Sequence, residues 1–527
     1  MVIGKRRKNL IKGKKIVSTF TIVVLVLLVS SLSVTYAGNR SGVSLPKGTP
    51  LKSLAVIPSS NLTNNEDKVL VAALQGIVAK SSSEQIFIDE GGPGATWKNY
   101  MSTTYNIKLN DQYSTWPLLV EHFKDKVKGY IVYDMNNNAS SLNVATSLSG
   151  PMNALIIDKS QEEVVRSIGI TNKILDVSGK NEKWAYDNYK NLFSKSIAAE
   201  LNTSIYYHLR DYAALTNSFT FFDGVTNWRK GVLNGLNKGS ALMGYGNNEF
   251  DMIEQASQKG ITSIPSDLAP NLSALSSIYS TEGLKQQTYS NPITKKKHYV
   301  TFVISDGDNI AWNLWGLNEY FNNPDRGKFS VGYGISPTLV DLAPAALRWY
   351  YENATKGKVK DHFIAGPSGT GYIFPSQMSS SDLDTYVDNL NTYMGKADLR
   401  ISEILDQGAL TRTDIWKKYL AKPNIDALFY FGYGETTHGD IQWVNNKPVI
   451  AQRDVLWDGI TDEETLITNI NSRPASPTTA DGYTLVLVHC WTKSLSDIKT
   501  VVEGLSPNVE VVTPDEYVKL VKQNHAK

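Results

Sequence analysis

The chain has 527 residues, 41% hydrophobic and 20% charged, an ordinary soluble composition on a length that one core rarely serves, so several domains are expected. Seven of its 53 basic residues lie within positions 5–15, leaving 46 against 51 acidic ones, which offers no basic surface for nucleic acid or an anionic membrane face. The single cysteine, Cys490, excludes an intramolecular disulfide and a zinc site built on several thiolates, and its apolar setting in residues 484–491 marks it as a small buried hydrophobe.

The basic stretch precedes residues 16–36, an uncharged and mostly apolar run, and then Ala37 and Gly38. A positive region, an apolar region and a small residue at the cut together form a secretory signal, here residues 1–37. The run is also long enough to stay in a bilayer as an uncleaved anchor, the only membrane contact expected. Either way the bulk of the protein lies outside the cytoplasm, secreted or on the cell surface, and the long basic stretch suits a Gram-positive bacterium. Residues 38–50, with Gly, Ser and Pro, read as an exposed linker.

From residue 51 three small α/β units follow, 51–115, 116–202 and 203–285. In the first, Val69, Leu70, Ala73, Leu74 and Ile77 have helical spacing within residues 65–80, with Asn64 or Asn65 as cap. The second alternates short strands (129–133, 153–157, 173–177) with helices and ends in an amphipathic helix over 184–200. The third carries strands at 219–222 and 240–245 and a helix over 249–259. Residues 265–297, rich in Ser, Pro, Asn and Lys, read as a surface connector.

From residue 298 to 527 the alternation becomes regular. Strands are expected at 299–304, 328–333, 361–365, 399–405, 426–431, 448–452 and 484–489, with helices between most of them and a last short strand at 509–512. Seven or eight βα units in this length predict a (β/α) barrel, with an open doubly wound sheet as the alternative.

The chemistry-bearing residues follow the strand ends. Residues 299–309 read YVTFVISDGDN, an apolar strand that runs into Asp306, Asp308 and Asn309. Buried carboxylates are costly without a task, and parallel α/β folds place their chemistry at these ends. Asp406 follows the fourth strand; Glu435, His438 and Asp440 follow the fifth; Arg453 follows the sixth; His489 and Trp491 follow the seventh. In a barrel they converge on one rim, a polar-substrate site with Asn309, Trp312, Tyr372, Asp440, Arg453, His489 and Trp491 as binding residues. Glycosidic hydrolysis needs two carboxyl groups flanking the bond. Asp306 and Asp308 rank first, then Asp406 and Glu435, with a pairing across the barrel favoured over a pair from one strand. No two histidines have the three- or four-residue spacing of a helical zinc pair, so no metal is assigned. Asp306, Asp308 and Glu435 could hold Ca²⁺ or Mg²⁺.

The block GTGYIFP, residues 369–375, resembles the signature of the GxGYxYP family of putative glycoside hydrolases, with Phe374 in place of the second tyrosine. SDGDN, GPSGTGY, GDIQWVNNKP and VVTPDEY also resemble that family's C-terminal domain. The resemblance covers the three N-terminal units too. It implies an extracellular carbohydrate-active protein whose barrel is akin to those of glycoside hydrolases and deacetylases, with the small units leaning over the rim. A glycan-binding protein without turnover, or a metal-dependent deacetylase-like hydrolase, are the alternatives.

Overall fold

The structure, a computed structural model, describes residues 44–111, 113–224, 228–280, 284–287, 291–432 and 437–525. The signal or anchor segment 1–37, residues 38–43 of the linker and Glu435 lie outside the described residues. Among the described residues no helix is long and apolar enough to cross a membrane.

Residues 44–50 are no exposed linker. Leu45 is buried, its amide donates to the Tyr393 hydroxyl, and the Tyr212 hydroxyl donates to Pro46 O at 2.7 Å. A leucine removed from water and two hydrogen bonds with tyrosine hydroxyls fix this stretch to the body of the protein.

Three small parallel sheets come first. In one, Ser53–Pro58 lies between Glu84–Asp89 and Lys108–Asn110. In the next, Gly129–Tyr133 lies between Ala154–Asp158 and Lys173–Asp176. The third orders Thr262–Ile264, Ala241–Gly244, Ile197–Glu200 and Phe219–Phe221. Helix Asn65–Ala79 starts where the sequence places it, with the Asn64 side chain accepting from Asp67 N at 2.7 Å. The helix expected over 184–200 ends at Tyr189, and Ile197–Glu200 is a central strand of the third sheet. Its IAAE run is too short to show a strand period, and only its neighbours decide it. The expected surface connector also begins inside the core: Ala269, Leu272 and Leu275 are buried, the last two on helix Leu272–Leu275.

Among the described residues the large sheet holds ten strands, the short Val509–Val511 pairing with His298–Ile304 off the main path. Its parallel path runs Lys447–Ala451, Ala427–Phe431, Ile401–Leu405, Asp361–Ala365, Val331–Ile335, His298–Ile304, Tyr483–Val488, Asp454–Leu456. An antiparallel strand, Ile441–Val444, flanks Lys447–Ala451, a hairpin absent from the sequence reading. The sheet is curled. Its concave face packs Val303, Ile364, Phe429, Ile450 and Leu485 against Tyr517 and Leu520 of the last helix, Pro514–His525, which stops that end. The other face packs Val300, Phe302, Tyr333 and Phe363 under the surrounding helices. Both faces are covered, as a parallel sheet requires, so most of the strands read as largely apolar runs.

Candidate active site

At the C-terminal ends of these strands lies a cavity of about 910 Å³, near the upper end of the roughly 300–1,000 Å³ that small-ligand sites span. It is reached by a turn that only close packing explains. Asp306 follows the first strand with φ 62°, a left-handed conformation that Asp tolerates better than most residues. The chain therefore does not run on extended. The Asp306–Gly307–Asp308 turn folds inward across the neighbouring strand ends. A Cβ on Gly307 would meet Gly334 C at 2.2 Å, and one on Gly366 would meet Gly307 C at 2.3 Å. Three glycines thus let three backbones stack, and the two flanking carboxylates are carried into the cavity.

Capping of the following helix, Ile310–Leu314, falls to Asn309, whose side chain accepts from Trp312 N at 3.1 Å. That leaves the aspartates for other work. Asp306 Oδ1 accepts from Ser305 Oγ at 2.7 Å and Oδ2 from Trp491 Nε1 at 2.6 Å. Asp308 is buried, and burial, then the charge of Asp306, push its pKa well above the usual carboxylate range.

Asp306, Asp308, Asn309, Tyr372, Arg453, His489 and Trp491 all line this cavity. The His489 ring stacks on Trp457 with centroids 3.7 Å apart, and its Nδ1 lies 2.9 Å from Thr492 Oγ1. Burial pulls its pKa below the ordinary histidine value, against the opposing charges of Asp306 and Asp458, so it is mainly neutral at neutral pH. Arg453 bonds Asp481 and Ala480 O through its terminal nitrogens, both at 3.3 Å, while its Nε is buried without a partner. Trp491 is 55% exposed, at the mouth.

Asp406, Trp312 and Asp440 stand elsewhere. Asp406 is buried beside the Gly-rich loop, where its oxygens accept from Ser376 N and Oγ, both at 2.8 Å, and from Gln407 N. It holds the loop rather than facing the hollow. Trp312 is buried and lies edge-on to Trp491, 5.2 Å between centroids, so it backs a cavity residue without touching the cavity. Asp440 is exposed beside the hairpin and outside the lining.

The carboxyl of the fourth strand that does line the cavity is Glu403, which sequence reasoning missed. It is fully buried, both its oxygens lack hydrogen-bond partners, and burial followed by the charges of Asp308 and Asp306 raises its pKa well above the usual range. A signal existed: Ile401, Glu403 and Leu405 share one face of an apolar strand, so a glutamate at its centre points into the curl. The third N-terminal unit closes the opposite wall with Tyr245, Glu249, Phe250, Asp267 and Leu268, none of them singled out in the sequence.

The glycine-rich loop joins that unit to the large sheet. Tyr372 N donates to Ser263 O at 2.8 Å and Ser263 N to Tyr372 O at 3.3 Å, a two-residue antiparallel bridge to an edge strand. The Tyr372 hydroxyl donates to Glu249 Oε1 at 2.9 Å, and that of Tyr245 to Oε2 at 2.6 Å. Phe374 is buried against Phe250 and Tyr372, so a hydroxyl is not needed there for packing. Among the described residues no group of three or more His, Cys, Asp or Glu side chains is placed to hold a metal ion.

Four family models match successive parts of the chain. The GxGYxYP_N 1st domain matches residues 53–125, the GxGYxYP_N second domain 127–193 and the GxGYxYP third domain 195–277. The GxGYxYP putative glycoside hydrolase C-terminal domain matches 296–522. A crystal structure of a putative hydrolase from Bacteroides thetaiotaomicron is similar over 91% of this chain and 96% of its own, with 47% sequence identity and a TM-score of 0.88. No curated protein matches the chain.

Proposed function

The chain belongs to the GxGYxYP family, and from that premise and this cavity we propose that it is a glycoside hydrolase, secreted or held at the cell surface, that cleaves a polysaccharide or oligosaccharide by carboxyl acid/base catalysis. The observation that carries the reading is one hollow holding the carboxyl groups of Asp306 and Asp308 under an aromatic mouth. Hydrolysis of a sugar–sugar bond needs one carboxyl that keeps its proton and one that accepts. Asp306, with donors on both oxygens, is the acceptor. The raised proton affinity of its buried neighbours supports the other half. Trp491 and Trp457 offer flat apolar faces to sugar rings.

We read the curled sheet as a (β/α) barrel of seven to eight strands. Gln452 N donates to Tyr430 O at one end of the strand path, and Arg453 N to Leu485 O at the other. Two consecutive residues thus span the edges, which supports closure.

The test is release of reducing sugar from a broad glycan panel by wild type, Asp306→Asn and Asp308→Asn. Both variants should lose turnover while still retaining the glycan on an affinity column. Wild-type protein that retains a glycan but releases no sugar would make it a glycan-binding protein. Release of acetate in place of sugar, abolished by a chelator, would make it the deacetylase-like hydrolase.

A further inference from the structure

We propose that Glu403 is the proton-donating catalytic carboxyl of this cavity, with Asp306 as its carboxylate partner. The proposal rests on the hydrolase reading and names a residue in it. Glu403 is the central residue of Ile401–Leu405, on the concave face of the sheet, fully buried yet part of the cavity lining. Neither of its oxygens has a partner. A buried polar group left unsatisfied costs about 1–3 kcal/mol. Structural glutamates in cores are paired, and an apolar side chain would fill this position better.

The neighbouring strand makes the room. Gly334 sits beside the carboxyl, and a Cβ there would come 2.8 Å from Glu403 Oε1 and 3.1 Å from Gly307 Cα. Glu403 Oε1 and the middle residue of the Asp306–Gly307–Asp308 turn therefore flank one glycine. The three carboxyl groups differ in what holds them. Asp306 accepts from Ser305 and Trp491. Asp308 gains from its own backbone amide. Glu403 has no donor to favour its charged form, and the neighbouring carboxyl groups of Asp308 and Asp306 oppose that form. A group so placed keeps its proton at neutral pH, which a general acid must do.

The proton balance is simple. The Glu403 hydroxyl passes its proton to the glycosidic oxygen as the bond from that oxygen to the anomeric carbon breaks. Water adds to the anomeric carbon and gives a proton to the Asp306 carboxylate. Return of that proton to Glu403 through the cavity restores both groups, with one water consumed.

The experiment compares two glycosides of the same sugar in the variants Glu403→Gln and Asp308→Asn. One has an unactivated sugar leaving group; the other has a nitrophenolate, which leaves without a proton. Glu403→Gln should lower kcat/KM on the first about 10²–10⁴-fold and leave the second within a few-fold, with the alkaline limb of the pH profile lost. Equal losses on both glycosides, or none, would overturn the proposal. So would the selective loss in Asp308→Asn instead. A second measurement needs no substrate. At neutral pH the infrared spectrum of wild type should show a protonated-carboxyl stretch that Glu403→Gln removes; an unchanged spectrum would also overturn it. Wild type that cleaves no glycoside, yet shows this band, would instead refute the hydrolase reading.

Discussion

Replacing Gly371 by alanine tests whether the signature glycine serves the joint between two parts of the molecule. The added Cβ would meet Ser263 O at 2.5 Å, Thr262 Cγ2 at 2.7 Å and Ile264 Cγ1 at 3.1 Å. The first of these is backbone inside a sheet and cannot turn aside. Overpacking of this kind costs about 1–3 kcal/mol. If the loop retreats, the two bonds between Tyr372 and Ser263 are lost, each worth about 1 kcal/mol. By either route the loss is about 2 kcal/mol. With a urea slope of about 2–3 kcal/mol per M, the midpoint should fall by about 1 M. The assay is urea unfolding followed by tryptophan fluorescence, with Gly94→Ala as control, since a Cβ there meets nothing within 4 Å and lies within helix Gly92–Tyr105. Gly371→Ala and Gly94→Ala unfolding at the same urea concentration would refute the reasoning.

Asp406→Asn should weaken the protein by about 1–3 kcal/mol, through its bonds to Ser376, while kcat stays within a few-fold; a stability measurement paired with turnover checks both halves. Trp491→Ala should raise KM or weaken glycan retention, yet cost stability no more than about 1 kcal/mol, because the ring is mostly exposed and gives up one hydrogen bond to Asp306. Glu403→Gln should gain stability relative to wild type as pH rises from about 4 to 8 in calorimetry. The folded wild type holds a proton that the unfolded chain releases near the ordinary glutamate value, about 4.3. Rising pH thus favours unfolded wild type until the folded pKa, which is raised, is reached. Glutamine has no such dependence, and a pH-independent difference would contradict the buried, proton-holding state.

Most strands of the large sheet were legible because both of its faces are covered and their residues are largely apolar, although Asp454–Leu456 was not expected. Asp361–Ala365 falls where it was expected, and His298–Ile304 begins one residue early. Two features were not legible. Asp406 and Glu403 lie three residues apart at the end of one strand, and a reading that places chemistry after strand ends selects Asp406. Which of them faces the hollow depends on how deep the hollow goes, and that depth is set by glycines on a different strand. The wall built from Glu249, Phe250 and Asp267 was also hidden. Periodicity shows that helix Glu249–Gln258 has a buried side, but it says nothing about what its exposed N-terminal residues meet.

Geometry and protonation at this site have one cause. Gly307, Gly334 and Gly366 let the turn after the first strand lie backbone to backbone on the next two. That contact draws Asp306 and Asp308 off the line of their strand and over Glu403. Once there, the carboxyl groups lie close together and largely out of water. Desolvation and like charge then act together, and both raise the proton affinity of the deepest group. Widening any of the three glycines would therefore do more than strain the backbone: it would separate the carboxyl groups and lower the affinity that holds the proton. A Gly334→Ala variant that still folds should show the alkaline limb of its pH profile moved to lower pH, whereas Glu403→Gln has no such limb, because the glycine change leaves the carboxyl in place but loosens its hold on the proton.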